Sequence, residues 1–376
     1  MELLKVVNKN CNLHITFASE TFYVKEVQYS KNQFFCYEYD YHTIKPTERI
    51  YYETNLIGIF NNIICFHQSD FWKGLEANSG INVLYDFYTG NKQESYKTNK
   101  WILPKEFQKG YFVAKRYLHS ENIHILEAFN PFIQDTLWQV ANKSPLNVDC
   151  LWEDKFIFIQ HMVTTCYSSL SGEKLWEYDL SKYFTRAVST YANNEPMYTT
   201  KVEKVVYNPA FNSLLLFITP NIKISLDANS GVLLWEKENH PPFGGCYVLD
   251  KQTGHTHYFT LERGKGQADD QVFYHVINGA TGELLHSRNF IKDLQIPESK
   301  INQIYLKPQI GAFKDNYLYF TLGDLGRLYQ MDTHTHEVIK FDEQEGIYYE
   351  STPVICKNRL FLIEDNDVKK LWVFEV

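Results

Sequence analysis

The feature that most constrains the fold of this chain is a short motif that recurs along it. In the clearest copies, SLDANSGVLLWEKE from Ser225 and YSSLSGEKLWEYDL from Tyr167, a strand leads into a polar turn closed by glycine, and a second strand carries Leu-Trp. Five further copies align on the closing glycines Gly231 and Gly172. The seven turns lie near residues 40–44, 86–90, 130–134, 168–172, 227–231, 278–282 and 332–336.

The spacing of these turns indicates the architecture. The closing position recurs at a mean step of roughly 49 residues, the length of a propeller blade of four short strands. Three copies depart from the pattern, because Ile44, Gln134 and His336 stand where the others have glycine. An interval of this length predicts an all-β propeller, in which stacked blades bury faces that no single blade can bury alone.

Pairs of apolar or alternating runs give the number of repeats. We find eight pairs: TFYVKE with FFCYEY, IICFHQ with VLYDFY, YFVAKRY with HILEAF, FIFIQHM with TTCYSS, LLLFIT with IKISLD, YFTLER with VFYHVI, YLYFTL with RLYQMD, and RLFLIE with KLWVFEV. They predict a single β-propeller domain over residues 1–376 with eight four-stranded antiparallel blades, and seven blades is the alternative. The last pair lacks a final strand, so we expect Glu2 to Val7 to pair beside Lys370 to Val376 and close the ring.

Elementary turn chemistry accounts for the residues of the motif. Asp or Asn can hydrogen-bond to the backbone two residues on, and glycine accepts a positive φ. We expect the leucine and tryptophan that follow, as at Trp176 and Trp235, to bury against the next blade.

The Asp-x-x-Thr/Ser-Gly turn followed by a Leu-Trp strand resembles the repeats of the pyrroloquinoline-quinone-like β-propeller family, and the repeat length is also typical of WD-like propellers. That family includes quinoprotein alcohol dehydrogenases and a lipoprotein of the bacterial outer-membrane assembly machine. The resemblance implies a fold and not an activity. The dehydrogenases carry adjacent cysteines beside the cofactor, and this sequence has none. No cofactor residue is therefore carried over, and we predict a non-enzymatic member without a cofactor.

The net charge and the composition of the chain indicate which classes of binding partner it suits. The formal net charge is −8 and the sequence pI is about 5.9, which argues against nucleic-acid binding and favours a basic protein partner. No apolar run reaches the length of a signal-peptide core or a membrane span, so we expect a cytoplasmic protein. The seven cysteines form no CxxC pair, and we predict buried, reduced thiols.

Two His-Thr-His pairs are the nearest approach to a metal motif. They are His255 with His257 and His334 with His336. A structural zinc site needs four ligands, and the second pair falls inside a repeat turn. We interpret these histidines as solvent-facing turn residues and predict no metal site. The sequence contains no Walker loop, dinucleotide-binding glycine motif, nucleophile elbow or HExxH motif.

The segment from 181 to 202 does not follow the blade pattern, and we expect a long loop with a short helix. Long loops on a rigid scaffold are common recognition elements, so we predict a partner-binding loop through Tyr183, Phe184, Tyr191 and Tyr198. The predicted function is that of a monomeric, non-catalytic protein-binding scaffold or an inhibitor of the immunity type. The alternative is a small-molecule or enzymatic site at the central channel.

Overall fold

A computed structural model of the chain describes most of its residues. They are 2–8, 14–18, 21–28, 33–51, 55–69, 80–118, 120–143, 147–160, 162–184, 189–190, 196–197, 202–218, 221–238, 241, 246–262, 271–291, 294, 311–322, 327–343, 353–363 and 370–376.

The chain divides into two compact units. The N-terminal unit is Asn10–Tyr178, and the C-terminal unit combines Met1–Lys9 with Asp179–Val376. Within the described ranges, the strands form eight four-stranded sheets and one two-stranded ladder. We number the four-stranded sheets 1 to 8 in chain order, so that sheets 1–4 belong to the N-terminal unit and sheets 5–8 to the C-terminal unit.

Sheets 1–4 are consecutive runs of four strands, β2–β5, β6–β9, β10–β13 and β14–β17. Their bounds are β2 His14–Ala18, β3 Thr21–Gln28, β4 Gln33–Asp40, β5 Lys45–Tyr51, β6 Asn55–Phe60, β7 Ile63–Ser69, β8 Gly80–Asp86, β9 Lys92–Thr98, β10 Trp101–Gln108, β11 Tyr111–Leu118, β12 Ile123–Asn130, β13 Asp135–Asn142, β14 Cys150–Trp152, β15 Lys155–Gln160, β16 Val163–Ser168 and β17 Lys174–Asp179.

Sheets 5–7 are β20–β23, β24–β27 and β28–β31, and sheet 8 has the strand order β1-β34-β33-β32. The bounds in this unit are β1 Glu2–Asn8, α1 Ser181–Phe184, β18 Ser189–Thr190, β19 Pro196–Met197, β20 Val202–Asn208, β21 Ser213–Ile218, β22 Ile222–Asp227, β23 Leu233–Lys237, β24 Cys246–Leu249, β25 Thr256–Glu262, β26 Gln271–Ile277, β27 Leu284–Asn289, β28 Gly311–Lys314, β29 Tyr317–Thr321, β30 Arg327–Asp332, β31 Val338–Glu343, β32 Val354–Cys356, β33 Arg359–Ile363 and β34 Lys370–Glu375.

Each of the eight predicted hairpins is confirmed as an antiparallel pair. In sheets 1–7 the hairpin supplies the second and third strands, and in sheet 8 it supplies β33 and β34. Strand β21 is buried on both faces, because every residue from Ser213 to Ile218 is buried. A strand that packs on both sides needs a continuous apolar run, which is why the hairpins stand out in the sequence.

The N-terminal strand completes sheet 8. Strand β1 pairs antiparallel with β34, from Glu2 opposite Glu375 to Asn8 opposite Lys370. This confirms the predicted pairing of the two chain ends. The edge of β34 is thereby covered, and β1 becomes the outer strand of the sheet.

Four cysteines have described side chains, and all four are free thiols. Cys65 and Cys166 are buried, as predicted, whereas Cys150 and Cys356 are half-buried. Burial raises the pKa of the Cys65 thiol, and it raises that of Cys166 to about 12. Both buried thiols are therefore uncharged at neutral pH. In the part of the chain that the structure describes, no helix is long and apolar enough to cross a membrane.

Candidate functional site

The five-residue turn between the third and fourth strands, which we call the repeat turn, has the same backbone in all seven copies. Its closing residue has a positive φ at every glycine and also at Ile44 (53°), Gln134 (57°) and His336 (58°). Residues with a Cβ seldom adopt this conformation. The alignment of the degenerate copies is therefore confirmed by geometry.

The first residue of the repeat turn holds the turn together. The Asp86 carboxylate accepts hydrogen bonds from the Thr89 backbone N–H at 2.7 Å and from its hydroxyl at 2.9 Å. Asp227 accepts the same pair of bonds from Ser230. These bonds favour the charged form, so the pKa of each carboxyl lies below its ordinary value.

Tryptophans of the fourth strands join neighbouring sheets. Trp138 Nε1 donates to the Ser169 carbonyl at 2.7 Å, and Trp235 Nε1 donates to that of Gly279 at 3.1 Å. Each ring also lies against the closing glycine of the next turn, because a Cβ added to Gly172 would come within 2.8 Å of Trp138. The predicted packing of the motif tryptophan against the next repeat is confirmed for Trp235. Trp138 packs in the same way, and Trp176 is buried.

The leucine that precedes each tryptophan does not bury, contrary to the prediction. Leu175 is 45% exposed and Leu234 is 50% exposed. Successive side chains of a strand point to opposite faces. Because the tryptophan faces the next sheet, the leucine beside it must point to the opposite face of the fourth strand. The fourth strand is the outermost strand of its sheet, and this face of it is open to solvent.

Other residue types make the same bond in the first two sheet junctions. Arg49 Nη1 donates to the Phe87 carbonyl at 2.5 Å, and the Tyr96 hydroxyl donates to the Pro131 carbonyl. The acceptor is again the residue directly after the first residue of the turn. Sheets 1–4 are thus connected in series through their repeat turns.

The repeat turns of sheets 2–4 carry large exposed apolar side chains at their tips. Tyr88 and Ile133 are each 64% exposed, and Leu170 is 49% exposed. Tyr88 and Leu170 are the third residues of their turns, and Ile133 is the fourth residue of its turn. In sheets 5–7 these two positions hold small or polar residues, which are Asn229 and Ser230, Ala280 and Thr281, and His334 and Thr335. We call Tyr88, Ile133 and Leu170 the turn-tip surface. Sequence reasoning missed it, although the repeat alignment contains the signal, a bulky apolar residue between the first and the closing residue of the turn.

The predicted partner-binding loop is only partly described. Tyr183 and Phe184 lie in helix α1 and are buried. The Tyr183 hydroxyl donates to Glu236 Oε2 at 2.9 Å, so this ring is held against β23 and is not an exposed contact group. Tyr191 and Tyr198 lie outside the described residues, and their role stays a prediction.

One histidine of each His-Thr-His pair lies near a histidine of the other pair. The prediction that all four histidines face solvent is wrong. His334 is exposed, but His257 is buried and its ring centroid lies 6.5 Å from that of half-buried His336. The side chains come from different sheets, 6 and 7. Among the described residues, no group of three or more His, Cys, Asp or Glu side chains is placed to hold a metal ion.

A cleft of about 510 Å³ opens between strands β20, β24, β28 and β32 of sheets 5–8. Its wall includes Tyr207 of β20, Tyr247 of β24, Phe313 of β28 and Ile355 of β32. The turn after β24 adds the polar side chains of Asp250, Lys251 and Gln252. Clefts of this size, with aromatic walls and a few polar groups, are the usual form of small-molecule sites.

The polar wall of the cleft is arranged by a second Asp-x-x-Thr-Gly turn, which the sequence analysis overlooked. Asp250 accepts from the Gln252 backbone N–H at 2.9 Å and from the Thr253 hydroxyl at 2.6 Å. These bonds fix the carboxylate within its own turn. Lys251 is the basic side chain that this turn contributes to the cleft.

Comparison with known proteins identifies the fold. No protein-family model and no curated protein sequence matches the chain. BamB from Moraxella catarrhalis is 12% identical, with a TM-score of 0.59 and 99% of each chain covered. Sqt1 from Saccharomyces cerevisiae is 9% identical, with a TM-score of 0.60 over 100% of this chain and 99% of that one. A europium-containing methanol dehydrogenase is 10% identical, with a TM-score of 0.61 over 100% and 93%.

These similarities extend over almost the whole chain. Sequence identities this low establish the fold and not the function. The chain is an all-β propeller of four-stranded antiparallel blades. The fold class expected from the repeats is thereby confirmed.

Proposed function

We propose that this propeller is a protein-binding module that holds its partner on the turn-tip surface. The observation that carries the proposal is the exposure of Tyr88, Ile133 and Leu170 in the repeat turns of three consecutive sheets. Single exposed apolar residues are ordinary. Three in consecutive turns, where the third and fourth turn positions of sheets 5–7 hold small or polar residues, mark a surface suited to a macromolecule.

The surroundings of these side chains favour binding. The Phe87 ring lies 5.5 Å from that of Tyr88, and buried Phe132 precedes Ile133. The bonds from Arg49, Tyr96 and Trp138 fix the turns to neighbouring sheets. A preorganised surface loses little conformational entropy on association. With a net charge of −8, the partner best suited to the molecule is a basic protein of the cytoplasm.

The test replaces the residues of the turn-tip surface by residue types that occur at the same turn positions in other repeats. A triple variant, Tyr88→Asn, Ile133→Thr and Leu170→Asn, keeps the turn chemistry and removes the apolar tips. We expect it to fold normally and to bind the purified partner at least about tenfold more weakly, since buried apolar anchors contribute about 1–3 kcal/mol each. Partner capture from the native cells, followed by titration calorimetry, measures this loss.

The matched control changes the same turn positions of the other unit, through Asn229→Ser, Thr281→Ser and His334→Asn. It should capture and bind the partner like the unaltered chain. Equal binding by both triple variants would contradict the proposal and direct attention to the segment that contains Tyr191 and Tyr198.

A small-molecule site in the cleft is the second candidate, favoured by the aromatic wall beside Lys251. A ligand that binds only the folded state raises the thermal midpoint. We would screen metals, quinones and sugars against the chain and its Lys251→Met variant. A shift that the variant loses would support the cleft, and no shift with any class would count against it.

We also infer that each of the eight four-stranded sheets in the described residues is a propeller blade. Seven blades and one further sheet is the alternative.

A further inference from the structure

The junction between sheets 6 and 7 is built from different residues than the tryptophan junctions. His286 stands four residues after Gly282, at the position of Trp138 and Trp235 in their repeats, and His336 stands at the closing position of the next turn. Their ring centroids lie 4.3 Å apart. A tryptophan against glycine is thus replaced by one imidazole against another.

The cluster continues inward through a buried tyrosine. The Tyr274 hydroxyl lies 3.3 Å from His336 Nδ1 and 2.5 Å from His257 Nδ1. Both Tyr274 and His257 are buried, and the Phe313 ring packs 4.9 Å from His257. His286 Nε2 is buried and has no hydrogen-bond partner. The three imidazoles therefore occupy a space with little solvent to stabilise added charge.

The charges around the cluster favour neutral imidazoles. Burial lowers the pKa of His257 to about 3, and burial with His286 and Arg288 lowers that of His336 to about 4. Burial and Arg288 also lower the pKa of His286. Four other titratable groups act on these imidazoles. His255 lowers the pKa of His257 and His334 lowers that of His336, whereas the carboxylates Asp250 and Asp332 raise the pKa of His257 and of His336, respectively.

We propose that the junction of sheets 6 and 7 is a proton-sensitive joint, in which acidification charges His257, His286 and His336 and releases the repeat turn 332–336 from strand β27. Protonated imidazoles at these separations repel one another. They also repel Arg288, whose Nη2 donates to the His336 carbonyl at 2.7 Å and holds the turn in place.

The direction of the pH effect follows from linkage. An exposed histidine titrates near 6.5, whereas these native pKa values lie below it. The opened joint therefore binds more protons than the closed one, and the closed joint loses stability as the pH falls below about 6.5. For His336 this loss continues until the pH reaches about 4. The joint is fully stable only above the ordinary histidine range.

The experiment is amide hydrogen exchange on the whole chain, corrected for intrinsic rates, at pH values of about 6.5 and about 5.5. Each histidine that gains a proton only on opening changes the equilibrium about tenfold per pH unit. We expect the opening constant of turn 332–336 to rise at least about tenfold across this interval. Turn 278–282, which packs against Trp235, serves as the internal reference and should not change.

Variants separate this joint from general acid destabilisation. The double variant His286→Trp with His336→Gly restores the residues of the other junctions and should remove the pH-dependent rise. His336→Asn, which tolerates the positive φ, should reduce the rise if the double variant fails to fold. His334→Asn, at an exposed site of the same turn, should leave it unchanged. An equal rise in both turns, or a rise that persists in the folded variants, would overturn the proposal.

Discussion

The closing residue of the repeat turn is subject to two separate constraints. One is the positive φ, which Ile44, Gln134 and His336 also adopt. The other is the tryptophan ring of the preceding sheet, which leaves no space for a Cβ at Gly172. The two constraints can be separated experimentally, because Gln134 has the strained backbone and an exposed side chain.

We expect Gly172→Ala to lower the free energy of unfolding by about 2–4 kcal/mol, through the left-handed backbone and the overlap with Trp138. Gln134→Gly is the matched change in the opposite direction, and it should leave stability unchanged or raise it by about 1 kcal/mol. Urea unfolding measures both. A neutral Gly172→Ala would mean that the Trp138 ring moves aside freely.

Among the secondary-structure elements, each strand of a sheet is stabilised by the antiparallel strands that pair with it. Sheet 8 obtains its outer strand, β1, from the opposite end of the chain. Strand β1 covers β34 from Lys370 to Glu375. Without β1, the backbone groups on that side of β34 would have no strand partner.

Removal of residues 1–8 should therefore lower the thermal midpoint by about 5 °C or more and promote aggregation. A synthetic peptide of residues 2–8, added in excess, should restore much of the midpoint, because it binds only the folded edge. A scrambled peptide of the same composition is the control. An unchanged midpoint after the deletion would show that β1 contributes little to the stability of sheet 8.

For the molecule as a whole, the prediction concerns the number of blades. The described residues form eight four-stranded sheets, and we expect class averages from electron microscopy to show eight blade densities. Seven densities would contradict this count and would leave the structure of each blade and the sheet junctions unaffected.

The parts of this protein that depend on local chemistry could be predicted from its amino-acid sequence. The repeat turns, the eight hairpins and the pairing of the chain ends could be predicted, because turn residues and apolar runs act over a few neighbouring positions. The degenerate turns at Ile44, Gln134 and His336 could be aligned for the same reason.

The side chains that meet between sheets, and those that remain at the surface, could be identified only from the three-dimensional structure. It placed Leu175 outside and Tyr183 inside, and it brought His257 and His336 into one cluster. Such contacts join residues far apart in the chain, and they depend on which face of a strand packs against the next sheet. Periodicity gives the alternation of the faces but does not say which one is covered.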